Sequence, residues 1–183
     1  VSRGDESGTH IKEKELWSAA DFTWENLRTE TVWYREAGKK MGGTLIYTSE
    51  TSGAYTLTDL ATYLSYSNAG LIDLKVLVSQ GKELLNVYSV IAVNPVRHPH
   101  TNFEWAINFT KFLVSEKGQQ IIGEYGKDKY GQPLFYPTVK LLEENNNPLA
   151  RWIREYAFFN GTECPEQYRN NHPELYVNHG AEG

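Results

Sequence analysis

Apolar positions recur at helical spacing at both ends of this chain and run together in its middle. In residues 10–20, Ile11, Leu16, Ala19 and Ala20 sit among lysines and glutamates, which predicts a short amphipathic helix with one modest buried face. A second helix is predicted over 24–41, with Leu27, Tyr34, Ala37 and Met41 on one side. Gly42-Gly43 is expected to end it, as glycine does just past a helix. Residues 43–49 (GTLIYTS) are rich in Thr, Ile and Tyr and predict a strand. Thr56 followed three residues later by Asp59 is a capping-box pattern, and Leu57, Leu60, Ala61 and Leu64 then form a stripe expected to be buried. Two near-continuous apolar runs, 74–78 and 87–93, have the β-branched character of strands covered on both faces.

Asn94-Pro95 through Pro99 breaks the pattern. A helix is predicted over 103–114, with Trp105, Ala106, Phe109 and Leu113 along one face, and 117–125 reads as its short continuation. Gly131, Pro133 and Pro137 mark 126–137 as a loop. Leu149, Trp152, Ile153 and Tyr156 predict one more amphipathic helix over 148–159, and the last two dozen residues, with Pro165 and Pro173 and no period, predict an irregular tail. No internal repeat is present. The order of elements predicts an α/β fold.

The length of 183 residues suits one ordinary domain or two small lobes, and 40% apolar residues suffice for a real core. A net charge of −5 without a basic block argues against nucleic acid as a partner. It also means that any bound anion is held by local geometry, because the global field repels it slightly. No apolar run reaches the roughly 18 residues of a membrane span, and no basic start with an apolar stretch marks a signal peptide. Cys164 is alone, which excludes an internal disulfide or a cysteine-based metal cluster. His10, His98, His100, His172 and His179 are scattered, and Pro95 and Pro99 place the middle pair in a turn, so structural or solvent-facing roles are expected.

The chemistry concentrates in Ser2-Arg3-Gly4-Asp5-Glu6-Ser7-Gly8-Thr9, directly before the first predicted helix. A helix start has unpartnered N–H groups and a partial positive charge, so it seats anions. Ser7 and Thr9 flank Gly8, whose lack of a side chain permits close backbone approach, and Arg3 can add a forked pair of charge-assisted hydrogen bonds. These are the parts of a site for a small tetrahedral oxyanion. The same Ser-Gly-Thr is also an ordinary N-cap. Asp5, Ser7 and His10 have the residue types of a hydrolase triad, but no nucleophile elbow surrounds Ser7 and no catalytic residue is assigned. Arg3-Gly4-Asp5 spells an adhesion tripeptide, a signal too short to carry weight.

Several separated motifs give the chain a resemblance. The loop through His10, then Ala54-Tyr55-Thr56-Leu57-Thr58-Asp59, then Ile91-Ala92-Val93-Asn94-Pro95 with His98-Pro99-His100 resemble tungstate-binding proteins of bacterial and archaeal ABC importers, in the type II periplasmic binding protein superfamily. Gly118-Gln119-Gln120-Ile121-Ile122 and Tyr130-Gly131-Gln132-Pro133-Leu134-Phe135 extend the resemblance over about 1–137. It implies a two-lobed extracytoplasmic receptor, periplasmic or anchored as a lipoprotein outside the cell, that closes on its anion and delivers it to a permease. It further implies that 1–86 is the anion-binding second lobe, that 87–137 returns to the first lobe, and that 138–183 is a helix and tail without a ligand role.

On this resemblance Ser2, Arg3, Ser7, Gly8, Thr9, Tyr55 and Thr56 line a tungstate or molybdate ion, with Asp5 orienting Arg3. No cofactor, free metal cation or catalysis is implied. An N-terminal first lobe, absent from this sequence, would complete the site. The same fold also serves as an oxyanion-sensing ligand domain of transcriptional regulators or signalling receptors, distinguished by what precedes it. A structural or adhesive role is the third reading, to which Asn108-Phe109-Thr110 and Asn160-Gly161-Thr162 would offer glycosylation acceptors.

Overall fold

The computed structural model describes residues 1–144 and 146–176, and its chain divides into two compact units, Val1–Val78 and Ser79–Gly183. Among the described residues the first unit holds α1 (Gly8–Ala19), α2 (Trp24–Glu30), α3 (Met41–Glu50) and α4 (Leu60–Asn68). The second holds α5 (Phe103–Val114), α6 (Glu116–Glu124), α7 (Lys127–Tyr130) and α8 (Pro148–Ala157), with short 3₁₀ turns between and after them. No sheet forms among the described residues. Extended pairing is limited to a parallel bridge of Ser2 with Glu36 and an antiparallel bridge of Phe159 with Thr162. The expected α/β architecture, a periplasmic-binding-protein-like second lobe returning to a first, is therefore corrected to a helical one.

The reasons are local. Residues 43–49 are helix, not strand, because Met41, Thr44, Leu45 and Thr48 are buried at i, i+3, i+4 and i+7. The threonines that suggested a strand satisfy their hydroxyls inside the helix: Thr48 donates to the Thr44 carbonyl (2.7 Å) and Thr51 to that of Tyr47 (2.8 Å). Gly42 is not a stop but a contact point in the first turn of α3. A Cβ there would lie 1.9 Å from the Tyr66 hydroxyl, so the missing side chain is what lets α4 pack against α3.

The helix expected over 24–41 ends at Glu30 instead. Beyond it the chain extends so that 35–37 can bridge to Ser2. The cap of α4 is Asp59, whose carboxylate accepts from the Thr62 N–H (2.8 Å), and Thr56 is outside the helix. The stripe of α4 is half-buried, with Leu60 exposed. Runs 74–78 and 87–93 are not strands. A strand needs an aligned ladder of backbone partners, and these runs find none among the described residues, so Leu77, Val78, Tyr88 and Ile91 are exposed.

In the second unit, Asn102 caps α5 and Ser115 caps α6. Gly118 brings α6 onto the end of α5, since a Cβ there would lie 2.1 Å from the Phe112 carbonyl oxygen. The buried anchor of α5 is Ile107, while Trp105 and Phe109, read as part of one apolar face, are exposed. The 126–137 stretch is a loop interrupted by α7, which two left-handed glycines, Gly126 and Gly131, bracket. Asn147 and Pro148 start α8, whose buried side is Ala150 and Ile153 rather than Leu149 and Tyr156. His98 and His100 lie in turns. The tail is stapled by Arg169, which donates to the Cys164 carbonyl (2.9 Å) and the Thr162 hydroxyl (3.2 Å). Its final stretch, 177–183 with His179, lies outside the described residues. No helix of the described residues is long and apolar enough to cross a membrane.

Candidate functional site: the loop before α1

Ser2 fastens the loop at its start. Its N–H donates to the Arg35 carbonyl (2.8 Å), its carbonyl accepts from the Ala37 N–H (2.8 Å), and it is wholly buried. The Ser2 hydroxyl accepts from the Gly4 N–H (3.2 Å), which folds the chain back on itself. Gly4 has φ +62°, and a Cβ there would lie 2.9 Å from Cβ of Glu36, so both conformation and space require glycine.

Asp5 organises the next turn. Its Oδ2 accepts from Arg3 Nε (3.0 Å) and Nη2 (2.5 Å), and its Oδ1 accepts from the Ser7 N–H (3.2 Å). Hydrogen bonds from Ser7 and Arg3 hold the Asp5 carboxyl below its ordinary range, so it remains an acceptor at neutral pH. The two bonds to Asp5 Oδ2 fix the plane of the guanidinium.

Ser7 is the N-cap of α1. Its backbone is extended and its hydroxyl accepts from the His10 N–H at 3.4 Å, the long end of the range. Gly8 and Thr9 open the helix, and their N–H groups have no intrahelical acceptor. The space beside Gly8 is open to 4 Å, and no acidic residue lies in the first turn to repel an anion. The Ser7 hydroxyl thus serves twice: its oxygen accepts from the His10 N–H as the cap, and the hydroxyl also hydrogen-bonds the Asp5 carboxylate.

The second predicted segment comes alongside through its backbone. The Val1 nitrogen donates to the Tyr55 carbonyl (2.6 Å), the Tyr55 ring is exposed, and Thr56 is half-buried and relieved of capping. The loop therefore carries Arg3 and Ser7 up to Gly8 and Thr9 at the start of α1, with Ser2 buried near its beginning and the Tyr55 carbonyl bonded to Val1.

Behind the loop lies a support that sequence reasoning missed. Glu13 is buried and accepts at Oε1 from Tyr34 Oη (3.0 Å) and Trp17 Nε1 (3.2 Å). Burial raises the Tyr34 phenol well above its ordinary range; a contact with Ser2 works the other way, and the Glu13 carboxylate adds to the rise. His10 is 1% exposed, with Nδ1 accepting from the Glu6 N–H (3.0 Å) and its ring edge-on to Trp24 at 4.7 Å. The available signal was positional: His10 and Glu13 lie three residues apart, on one side of α1.

This helical chain, with its structured loop before α1, belongs to a class of binding proteins. Residues 1–117, well over half of it, match the family model described as a PBP superfamily domain, and the chain belongs to that superfamily. Among curated proteins it is 44% identical over 138 residues to the tungstate-binding protein TupA of Peptoclostridium acidaminophilum, an alignment covering 75% of this chain and 46% of that one. It is 42% identical over 150 residues to a putative ABC transporter anion-binding protein of Haloferax volcanii (79% and 40% covered). It is 36% identical over 143 residues to TupA of Campylobacter jejuni (76% and 50% covered). The names these relatives carry are those of binding proteins, not enzymes. The chain spans about half the length of the curated relatives it matches. No solved structure matches it.

Proposed function

We propose that this chain supplies one half of an extracytoplasmic receptor that captures a tetrahedral oxyanion, tungstate or molybdate, and presents it to an ABC importer permease. The observation that carries the reading is the Arg3–Asp5 pair set beside the open first turn of α1, in a chain 44% identical to a tungstate-binding protein. In this reading Arg3 supplies charge, Ser7 and Thr9 supply hydroxyl and backbone donors, and Gly8 permits the anion's close approach. Ser2, Tyr55 and Thr56 border the same seat. A tetrahedral dianion offers four oxygens to such donors, and geometry rather than net charge retains it, since the chain as a whole is at −5.

Because the relatives are about twice as long, the remaining donors are assigned to a second lobe that closes over the ion. That lobe would also give the apolar runs 74–78 and 87–93 a place to bury. Periplasmic placement or a lipid anchor outside the cell follows from the same reading. Calorimetry on the two-lobed receptor with tungstate, molybdate, sulfate and phosphate tests it. Saturable heat with tungstate or molybdate is the expected result, and heat with none of the four would refute it.

A further inference from the structure

We propose that His10 is a positioning residue for the oxyanion loop: its Nδ1 holds the Glu6 N–H and keeps Glu6 in the left-handed conformation from which the chain turns into α1. Glu6 has φ +55°, a region that a side chain with a Cβ rarely occupies without an external hold. Three contacts act on it, one of them the 3.5 Å approach of His10 Nδ1 to a Glu6 carboxylate oxygen. Lys14 Nζ pairs with the Glu6 carboxylate at 2.6 Å, but that contact reaches the end of a flexible side chain and leaves the backbone torsion free. The bond from Glu6 N–H to His10 Nδ1, at 3.0 Å, acts on the backbone itself. Glu6 sits between Asp5, which orients Arg3, and Ser7, which caps α1, so its torsion sets the relation of the guanidinium to the Gly8 and Thr9 N–H groups.

The state of the imidazole follows from the donor. A backbone N–H can only donate, so Nδ1 is unprotonated and the neutral ring carries its proton on Nε2. Nε2 is buried and has no hydrogen-bond partner among the described residues. A residue present only to fill the space against Trp24 would be better served by an apolar ring, which leaves no polar atom unmatched. The retained cost at Nε2 marks Nδ1 as the atom the loop needs. The consequence for affinity rests on the oxyanion reading above; the consequence for loop order does not.

Side-chain isosteres separate this role from packing. Asn places its Oδ1 acceptor where His has Nδ1, whereas Gln reaches toward Nε2 and Leu offers no acceptor. In the 183-residue chain, amide exchange at Glu6 and the nitrogen–nitrogen coupling across the Glu6–His10 hydrogen bond read the contact directly. His10→Asn should retain slow exchange at Glu6, while His10→Gln and His10→Leu lose it with the α1 amides still protected. In the two-lobed receptor, tungstate affinity should fall about tenfold in the Gln and Leu variants, the equivalent of one charge-assisted hydrogen bond, and by much less in Asn. Unchanged Glu6 exchange in His10→Gln overturns the inference. So does an Asn variant no better than Leu, or loss of α1 protection in all three, which would make His10 a core filler. A wild-type receptor that binds none of the oxyanions while Glu6 stays protected sinks the proposed function and leaves the exchange data to judge His10.

Discussion

Replacing Arg3 with alanine tests the site most directly. Arg3 is largely enclosed, with 17% of its side chain exposed, and its plane is set by two bonds to one oxygen of Asp5. The N–H groups left over can meet two oxygens of a dianion at once. A hydrogen bond to a charged group contributes about 1.5–3 kcal/mol. One bond at the low end corresponds to about a tenfold loss of affinity, and two to about a hundredfold. Removing Arg3 also leaves the Asp5 carboxylate without its counter-charge, facing the incoming anion. The double variant Arg3→Ala with Asp5→Asn should therefore bind more tightly than Arg3→Ala alone, although Asn at position 5 contributes no charge of its own. Arg3→Lys should recover only part of the loss, since an ammonium cannot reproduce the fork. Tungstate titration of the two-lobed receptor by calorimetry, with circular dichroism to verify folding, reads all four proteins. Equal affinity in wild type and Arg3→Ala would refute the reasoning and leave the Arg3–Asp5 pair as a surface feature.

The two loop glycines should respond oppositely. Gly8→Ala meets open space and should keep the melting temperature while weakening oxyanion binding; Gly4→Ala, at φ +62° and against Glu36, should cost about 1–2 kcal/mol of stability by thermal unfolding. Gly42→Ala should destabilise by about 1–3 kcal/mol, because the added methyl meets the Tyr66 ring, and Tyr66→Ala in that background should lessen the penalty of the methyl in a denaturant-based double-mutant cycle. Hydrogen bonding to Lys111, with its own backbone and His172, depresses Glu174 to about 2. A depressed carboxyl stabilises the fold above its unfolded pKa and loses that contribution as pH falls through the folded value. Melting temperature should therefore drop from about pH 4.5 toward 2, and Glu174→Gln should flatten that limb.

The sequence by itself determined the features that depend on neighbours a few residues apart. Ser7 before α1 and Pro148 at the start of α8 are legible because a helix start is set within one helical turn. The local order of the loop before α1 was legible for the same reason: Arg3, Asp5, Ser7 and His10 are joined by bonds spanning two or three residues. Its chemistry is written locally.

What only the tertiary structure decided involves partners distant in the chain. Residues 43–49 carry both strand-like composition and a helical stripe, and packing of α3 against α4 through Gly42 and Tyr66 selects the helix. Runs 74–78 and 87–93 have the composition of strands, yet composition supplies no partner strand, and without a ladder they form no strand among the described residues. The helix read over 24–41 stops early because 35–37 bonds to Ser2, more than thirty residues away. Likewise Glu13, Tyr34 and Trp17 meet beneath the loop only after α1 has folded against the chain that follows α2. A local bond is encoded by spacing, whereas burial and pairing belong to whichever segment the fold brings alongside.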